Sequence, residues 1–173
     1  MQREGWPEPG SLVVCTVTQV VDFGAFVSMD EYSGKQGLIH ISEVASGWIK
    51  YIRDHVREGQ KIVCKVLNVD TSRHHIDLSL KDVNEHQRRE KIQEWKADQK
   101  AWKWLEMAYK DRPEDVKRVA DVLVAAYDSL YLAMEEAAIS GVDALKDVEL
   151  TEEDLKMLES LSKDNVKIPS VDI

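Results

Sequence analysis

The amino-acid sequence predicts a small closed β-barrel followed by an all-α unit, and two observations carry that expectation. Five short stretches between Ser11 and Leu80 are rich in Val, Ile and Thr and are separated by turn residues. Beyond Lys81 the spacing of apolar residues changes from two to about three and a half, which is the passage from strand to helix. Residues 1–83 are therefore assigned to the barrel and residues 84–165 to the helical domain, with no internal repeat or low-complexity tract between them.

The strands are expected at Ser11–Val21, at a run broken by Gly24 and ending near Met29, at Gln36–Ile41, at Gln60–Asp70 and at His75–Leu80. The fourth shows the alternation most clearly. Ile62, Cys64 and Val66 point one way and Lys61, Val63 and Lys65 the other, so one face is buried and the other carries charge. A long connection, Ser42 to Gly59, separates the third and fourth strands, which is the order of a five-stranded OB-fold. Cys15 and Cys64 both fall at inward positions and are expected as buried, reduced thiols.

Asp22-Phe23-Gly24-Ala25-Phe26-Val27, with Gly37-Leu38-Ile39-His40-Ile41-Ser42-Glu43 after it, places two aromatics, a histidine and a tight glycine turn on adjacent short strands. A single-stranded RNA platform needs that set, because bases stack on exposed aromatic faces while basic groups follow the phosphates. Two readings of Phe26 stay open at this point, stacking surface or partial plug of the barrel end. His40 lies between Ile39 and Ile41, which as inward residues leave it outward. These segments, together with Gly59-Gln60 through Asp70 and Ile76-Asp77-Leu78-Ser79-Leu80, resemble the S1-type RNA-binding domain from about Gly10 to Lys81. The resemblance implies an RNA surface made of Phe23, Phe26, His40, Asp70 and His75. The turn before Ile76 is one residue longer than the family's common pattern and lacks its glycine, so Arg73 or His74 is the alternative to His75 for the basic role.

In the second half, Ile92, Trp95, Trp102, Leu105 and Tyr109 share one face of a helix expected from about Asn84 to Lys110, with the tryptophans read as helix core. Arg112-Pro113 ends it and begins another. Val116, Val119, Ala120, Leu123, Tyr127, Leu130, Tyr131 and Met134 form a second stripe, closed by Gly141. Thr151 followed by three acidic residues caps a last helix carrying Leu155, Leu158 and Leu161. Trp48, on the long connection, has no such helix face to serve.

The net charge of −9 argues at first against nucleic acid, but it is not evenly spread. Residues 1–83 carry 9 basic and 11 acidic groups, residues 84–118 carry 10 and 8, and residues 119–173 carry 4 and 13. On the first long helix Arg89, Lys96, Lys100 and Lys103 share a stripe, read either as an extension of the RNA surface or as an ordinary solvated face. Catalysis finds no support: no nucleophile is paired with a base, no glycine-rich phosphate loop is present, and His74-His75 has no cysteine or carboxylate at a zinc spacing. Neither a metal nor a cofactor is expected. No apolar run reaches the roughly 20 residues of a membrane span, and the N-terminus lacks a signal-peptide core, so a cytoplasmic protein is expected.

The connection Ile41-Ser42-Glu43-Val44-Ala45-Ser46-Gly47-Trp48-Ile49, the segment Asp54 to Lys61, and the passage from Leu80 into a helix with Gln87-Arg88-Arg89 resemble the alpha-subunit family of archaeal and eukaryotic translation initiation factor 2. The resemblance implies a non-catalytic RNA-binding subunit of a heterotrimer that delivers methionyl initiator tRNA to the small ribosomal subunit. It also implies contact with mRNA or rRNA, and a gamma-subunit GTPase partner reached through a third domain. Residues 166–173 resemble the linker or first strand of that domain, so the sequence reads as a two-domain fragment. Two alternatives are a generic S1-type single-stranded RNA-binding protein with a helical extension and the RNA-binding part of a processing enzyme.

Overall fold

Ten residues at the start of the barrel, Leu12–Val21, form β1, and the alternation of Val13, Cys15 and Val17 turns its apolar side inward. β2 (Gly24–Met29), β3 (Gln36–His40), β4 (Lys61–Asp70) and β5 (His75–Ser79) follow at the expected places. The computed structural model describes residues 3, 5–145 and 148–166, so most of the segment expected as a linker or first strand lies outside the described residues. The barrel is closed in the order β1-β2-β3-β5-β4. All pairings are antiparallel except β3 with β5, where Leu38 lies beside Asp77 and Ile39 beside Leu78. Closure leaves no free strand edge.

Ala25, Val27, Ile39, Ile62, Val66, Ile76 and Leu78 fill the interior with both cysteines, which are free. A hydrogen bond with Cys64, then burial, pushes the Cys15 thiol well above its usual range, so it stays protonated. Val14 and Val63 are also fully buried, but on the outer side of the barrel. There Lys91 of helix α1 (Glu85–Ala108) bonds Glu31 at 2.9 Å, and Glu31 also accepts the Val14 N–H at 2.8 Å. The Lys61 ammonium, paired with Asp30, lies 4.7 Å from the centre of the Trp95 ring. These contacts fasten the first turns of α1 to the barrel.

The chain forms two units, one through Trp95 and one from Lys96, and α1 spans the division. In the second unit the buried stripe of α1 is Asp98, Ala101 and Leu105, with Tyr109 just beyond it. Trp95 and Trp102 are only half-buried, which corrects their assignment as helix core: Trp95 serves Lys61 instead. The stripe expected to run from Val116 to Met134 is likewise cut in two. Helix α2 (Pro113–Tyr127) ends at Asp128, whose φ of 63° is left-handed, and α3 (Leu130–Ser140) starts from Ser129. The Ser129 hydroxyl accepts the Leu132 N–H and donates to Asp98 at 2.7 Å, while Asp98 also accepts the Tyr131 N–H. A carboxylate in the apolar stripe thus caps the next helix, and its partners offset the cost of burial.

Asp154 ties the last helix to α2 and to the end of α1. In α4 (Glu152–Asn165) it completes a capping box with Thr151. It also accepts the Tyr109 hydroxyl at 2.5 Å and two bonds from Arg118, at 2.8 and 3.1 Å. Burial by itself raises its pKa, but the bonds from Arg118, Tyr109 and Thr151 outweigh that and hold it well below the usual carboxylate range. A lowered pKa contributes stability that is complete above the unfolded value of about 4 and is lost as pH falls through the folded value. Arg118 is 41% exposed, so solvent screens part of its share. Urea unfolding of Asp154→Asn at pH 7 is expected to show a loss of about 2 kcal/mol and a weaker acid dependence below pH 4. An unchanged midpoint would show that the hub adds no net stability.

Candidate nucleic-acid interface

One outer strip of the barrel, running along β2, β3 and β5, collects the aromatic and histidine residues that the sequence singles out. Inward-facing Ile39, Ile76 and Leu78 force their neighbours Leu38, His40, His75 and Asp77 outward, because side chains alternate along a strand. Phe26 belongs to the same face. It pairs in register with Leu38, is half-buried, and is absent from the core cluster, which closes the reading of Phe26 as a plug.

Phe23 occupies the two-residue turn between β1 and β2 and is 52% exposed. Its ring meets that of Phe26 edge to face, with centroids 6.0 Å apart at 89°. Its carbonyl accepts the Ile41 N–H at 2.8 Å, so the turn is tied to the end of β3. Gly24 makes that closeness possible: a Cβ there would lie 2.3 Å from the Ile39 carbonyl oxygen. The sequence suggests a glycine-dependent turn, but the requirement is close approach of two strands, since Gly24 already lies within β2 opposite His40.

His40 is exposed at the end of β3. Its Nδ1 accepts the Ser42 N–H at 3.2 Å and lies 2.8 Å from the Ser42 hydroxyl. An accepting Nδ1 places the proton of the neutral ring on Nε2, an N–H donor beside the Phe23 turn that has no partner among the described residues. From the sequence Ser42 reads only as part of a structural motif; its spacing of two from His40, at a strand end, is the signal for this role. In 15N NMR spectra recorded with the His40 ring neutral, Nδ1 is expected at the unprotonated position and Nε2 at the protonated one. The reverse tautomer would contradict this orientation.

The other expected residues lie toward the opposite end of the strip. Asp70 ends β4 and pairs with His75 at the start of β5. The Ser72 hydroxyl donates to Asp70 at 2.7 Å and the Arg73 N–H at 3.2 Å, and these bonds lower its pKa. Asp70 therefore closes the turn as an ionised group. Arg73 is 84% exposed, with its guanidinium 3.8 Å from Asp70. His75 pairs with Asp77 at 2.8 Å, so Asp77, which the sequence motif does not single out, belongs to the strip as the partner that holds His75. By the β3–β5 register His75 stands beside Gln36, about 13 Å along the strand from His40.

Lys96, Lys100 and Lys103, in the helical unit, are exposed along one side of α1 and pair with no carboxylate among the described residues. Arg89, expected on the same stripe, is held by Glu85 at 3.0 Å. Trp48 is 84% exposed on the long connection. No group of three or more His, Cys, Asp or Glu able to hold a metal ion occurs among the described residues, and no helix there is long and apolar enough to cross a membrane.

A family model described as the S1 RNA binding domain matches residues 7–81, and one described as the eukaryotic translation initiation factor 2 alpha subunit matches residues 115–173. The chain is 54% identical over its whole length to translation initiation factor 2 subunit alpha of Haloarcula marismortui, covering 66% of that protein. To the same subunit of Methanothermobacter thermautotrophicus it is 44% identical, over 99% of this chain and 67% of that one. This chain belongs to the alpha-subunit family of translation initiation factor 2. It spans about two thirds of the length of these alpha subunits. A solved member of the family, from the a/eIF2alpha-aDim2p-rRNA complex of Pyrococcus horikoshii, superimposes with a TM-score of 0.89 at 41% identity, over 95% of this chain and all of that one.

Proposed function

We propose that this chain is the RNA-binding portion of an alpha subunit of translation initiation factor 2, acting in the cytoplasm as part of the heterotrimer that delivers methionyl initiator tRNA to the small ribosomal subunit. The observation that carries the reading is the outer strip itself, where exposed Phe23 in the β1–β2 turn, edge-on Phe26 on β2 and the outward Nε2–H of His40 on β3 converge. Family membership supports it, as does the ribosomal RNA in the complex of the Pyrococcus horikoshii relative. We read the strip as a binding surface: its carboxylates, Asp70 and Asp77, are each occupied by a neighbour, and the His40 ring that lies 2.8 Å from the Ser42 hydroxyl is paired with no carboxylate among the described residues to orient it as a base. GTP hydrolysis belongs to the gamma subunit, and docking on that subunit to the third of the family's length that lies outside this chain. Asp70, Arg73 and His75 border the RNA strip, and Lys96, Lys100 and Lys103 add diffuse attraction for phosphate.

Phe23→Ala is expected to weaken single-stranded RNA binding by about 1–3 kcal/mol, the range for one stacked base, with an unchanged circular dichroism spectrum. Replacing His40 by Ala is expected to weaken it in the same direction. Intact folding with unchanged affinity in both variants would show that the strip is not the RNA surface.

A separate test addresses the lysines. On a single strand the logarithm of affinity falls with that of salt at about −0.7 per phosphate contacted. The combined change of Lys96, Lys100 and Lys103 to Gln is expected to flatten that slope in proportion to the number of phosphates the three ammonium groups neutralise. An unchanged slope would make the three lysines an ordinary solvated face.

A further inference from the structure

Trp6, Lys35 and His74 come together at the end of the outer strip remote from His40. Trp6 is half-buried against the barrel core, in the segment preceding β1. The Lys35 ammonium lies 4.5 Å from the centre of its ring, and the His74 ring lies 5.3 Å away at a tilt of 43°. The three residues come from the N-terminal segment, the β2–β3 turn and the β4–β5 turn. Register explains the meeting: β3 and β5 run parallel with Leu38 beside Asp77, so continuing each strand backwards brings Lys35 to His74.

Two features set the cluster apart from simple packing. Lys35 pairs with no carboxylate among the described residues, and an indole face attracts an ammonium without neutralising it, so the charge remains available to an anion. His74 has φ of 53°, a left-handed backbone that glycine adopts without cost and a side-chain-bearing residue does not. That conformation turns an imidazole toward Trp6 where a glycine would leave none. Arg73, 84% exposed, adds a guanidinium next to it.

We propose that Lys35 and His74, seated on Trp6, form a phosphate-binding site that extends the single-stranded RNA track beyond the Phe23–Phe26–His40 platform. The inference rests on the reading of the outer strip as an RNA surface. Trp6 packs against the barrel core and its ring carries the Lys35 ammonium and the His74 imidazole, so the indole is taken up by protein contacts and the ligand argued for is the RNA backbone and not a stacked base. The distance decides how to detect it. Five residue steps separate Lys35 from His40, about 17 Å along β3, so a very short oligonucleotide held at the platform does not reach the site.

The experiment compares the dinucleotide UpU with an oligouridylate of about twelve nucleotides, the longer within the range covered by one OB-fold. The combined variant Lys35→Gln and His74→Asn keeps Trp6 and a residue tolerant of left-handed backbone. It is expected to lose about fivefold or more in affinity for the longer RNA, with a salt slope shallower by about 0.7 for each phosphate no longer neutralised, and to bind the shorter RNA unchanged. His74→Gly, which relieves the backbone while removing the imidazole, is expected to show a smaller loss in the same direction. Phe23→Ala is expected to weaken both lengths. Unchanged binding of the longer RNA in the combined variant, with Phe23→Ala still weakened, would overturn the phosphate site and leave the platform standing. Equal loss on both lengths would overturn its placement as an extension, and unchanged binding in Phe23→Ala would overturn the platform reading on which it rests.

Discussion

The close approach of its two neighbours to β3 is the constraint on which the binding face depends. At Gly24 a Cβ would lie 2.3 Å from the Ile39 carbonyl oxygen, and at Gly37 a Cβ would lie 2.6 Å from a methyl carbon of Leu78. Two glycines on opposite sides of the strand interfaces thus let a five-residue β3 be gripped by β2 on one edge and β5 on the other. The grip closes the barrel and also sets the face. With Ile39 locked inward, His40 and Leu38 have nowhere to point but out, and Phe23 is drawn to the end of the same strand by its carbonyl bond with Ile41.

The charge distribution fits a molecule whose two halves have different tasks. The barrel is nearly balanced, and several of its charges are engaged internally: Asp30 with Lys61, Glu31 with Lys91, Asp70 with its own turn. What stays available on the outer strip is aromatic surface, one oriented histidine N–H and a few cations at the far end. Most of the acidity falls in the second half, where Asp98 and Asp154 work as structural caps. A net charge of −9 for the whole chain therefore says little about the face that meets RNA.

Much of this is legible in the sequence, for identifiable reasons. The alternation of Ile62, Cys64 and Val66 marks the inward side of β4, and Phe23, Gly24 and His40 lie where their motif suggests. The failures are places where polar side chains override apolar periodicity. Val116 to Met134 reads as one stripe, yet Asp128 takes a left-handed conformation and Ser129 starts a new helix with help from Asp98, a residue 31 positions earlier that no periodic pattern would pair with it. Trp95 and Trp102 look like core because they are large and apolar, whereas Ala101 and Leu105 occupy the buried line. Ser42, Asp77 and Trp6 carry no such mark because each acts through a contact that only folding creates: a cap on His40, a clamp on His75, a seat for two basic side chains.

The central claim is that RNA meets the barrel on the strip built from β2, β3 and β5. Titration of a 15N-labelled sample with a single-stranded oligonucleotide, followed by backbone amide shifts, tests it most directly. The account predicts that the largest changes fall at Asp22–Gly24, at Leu38–Ser42 and at the turn from Asp70 to His75. Changes concentrated instead on the opposite side of the barrel, around Thr16, Asp30 and Lys61, would contradict it.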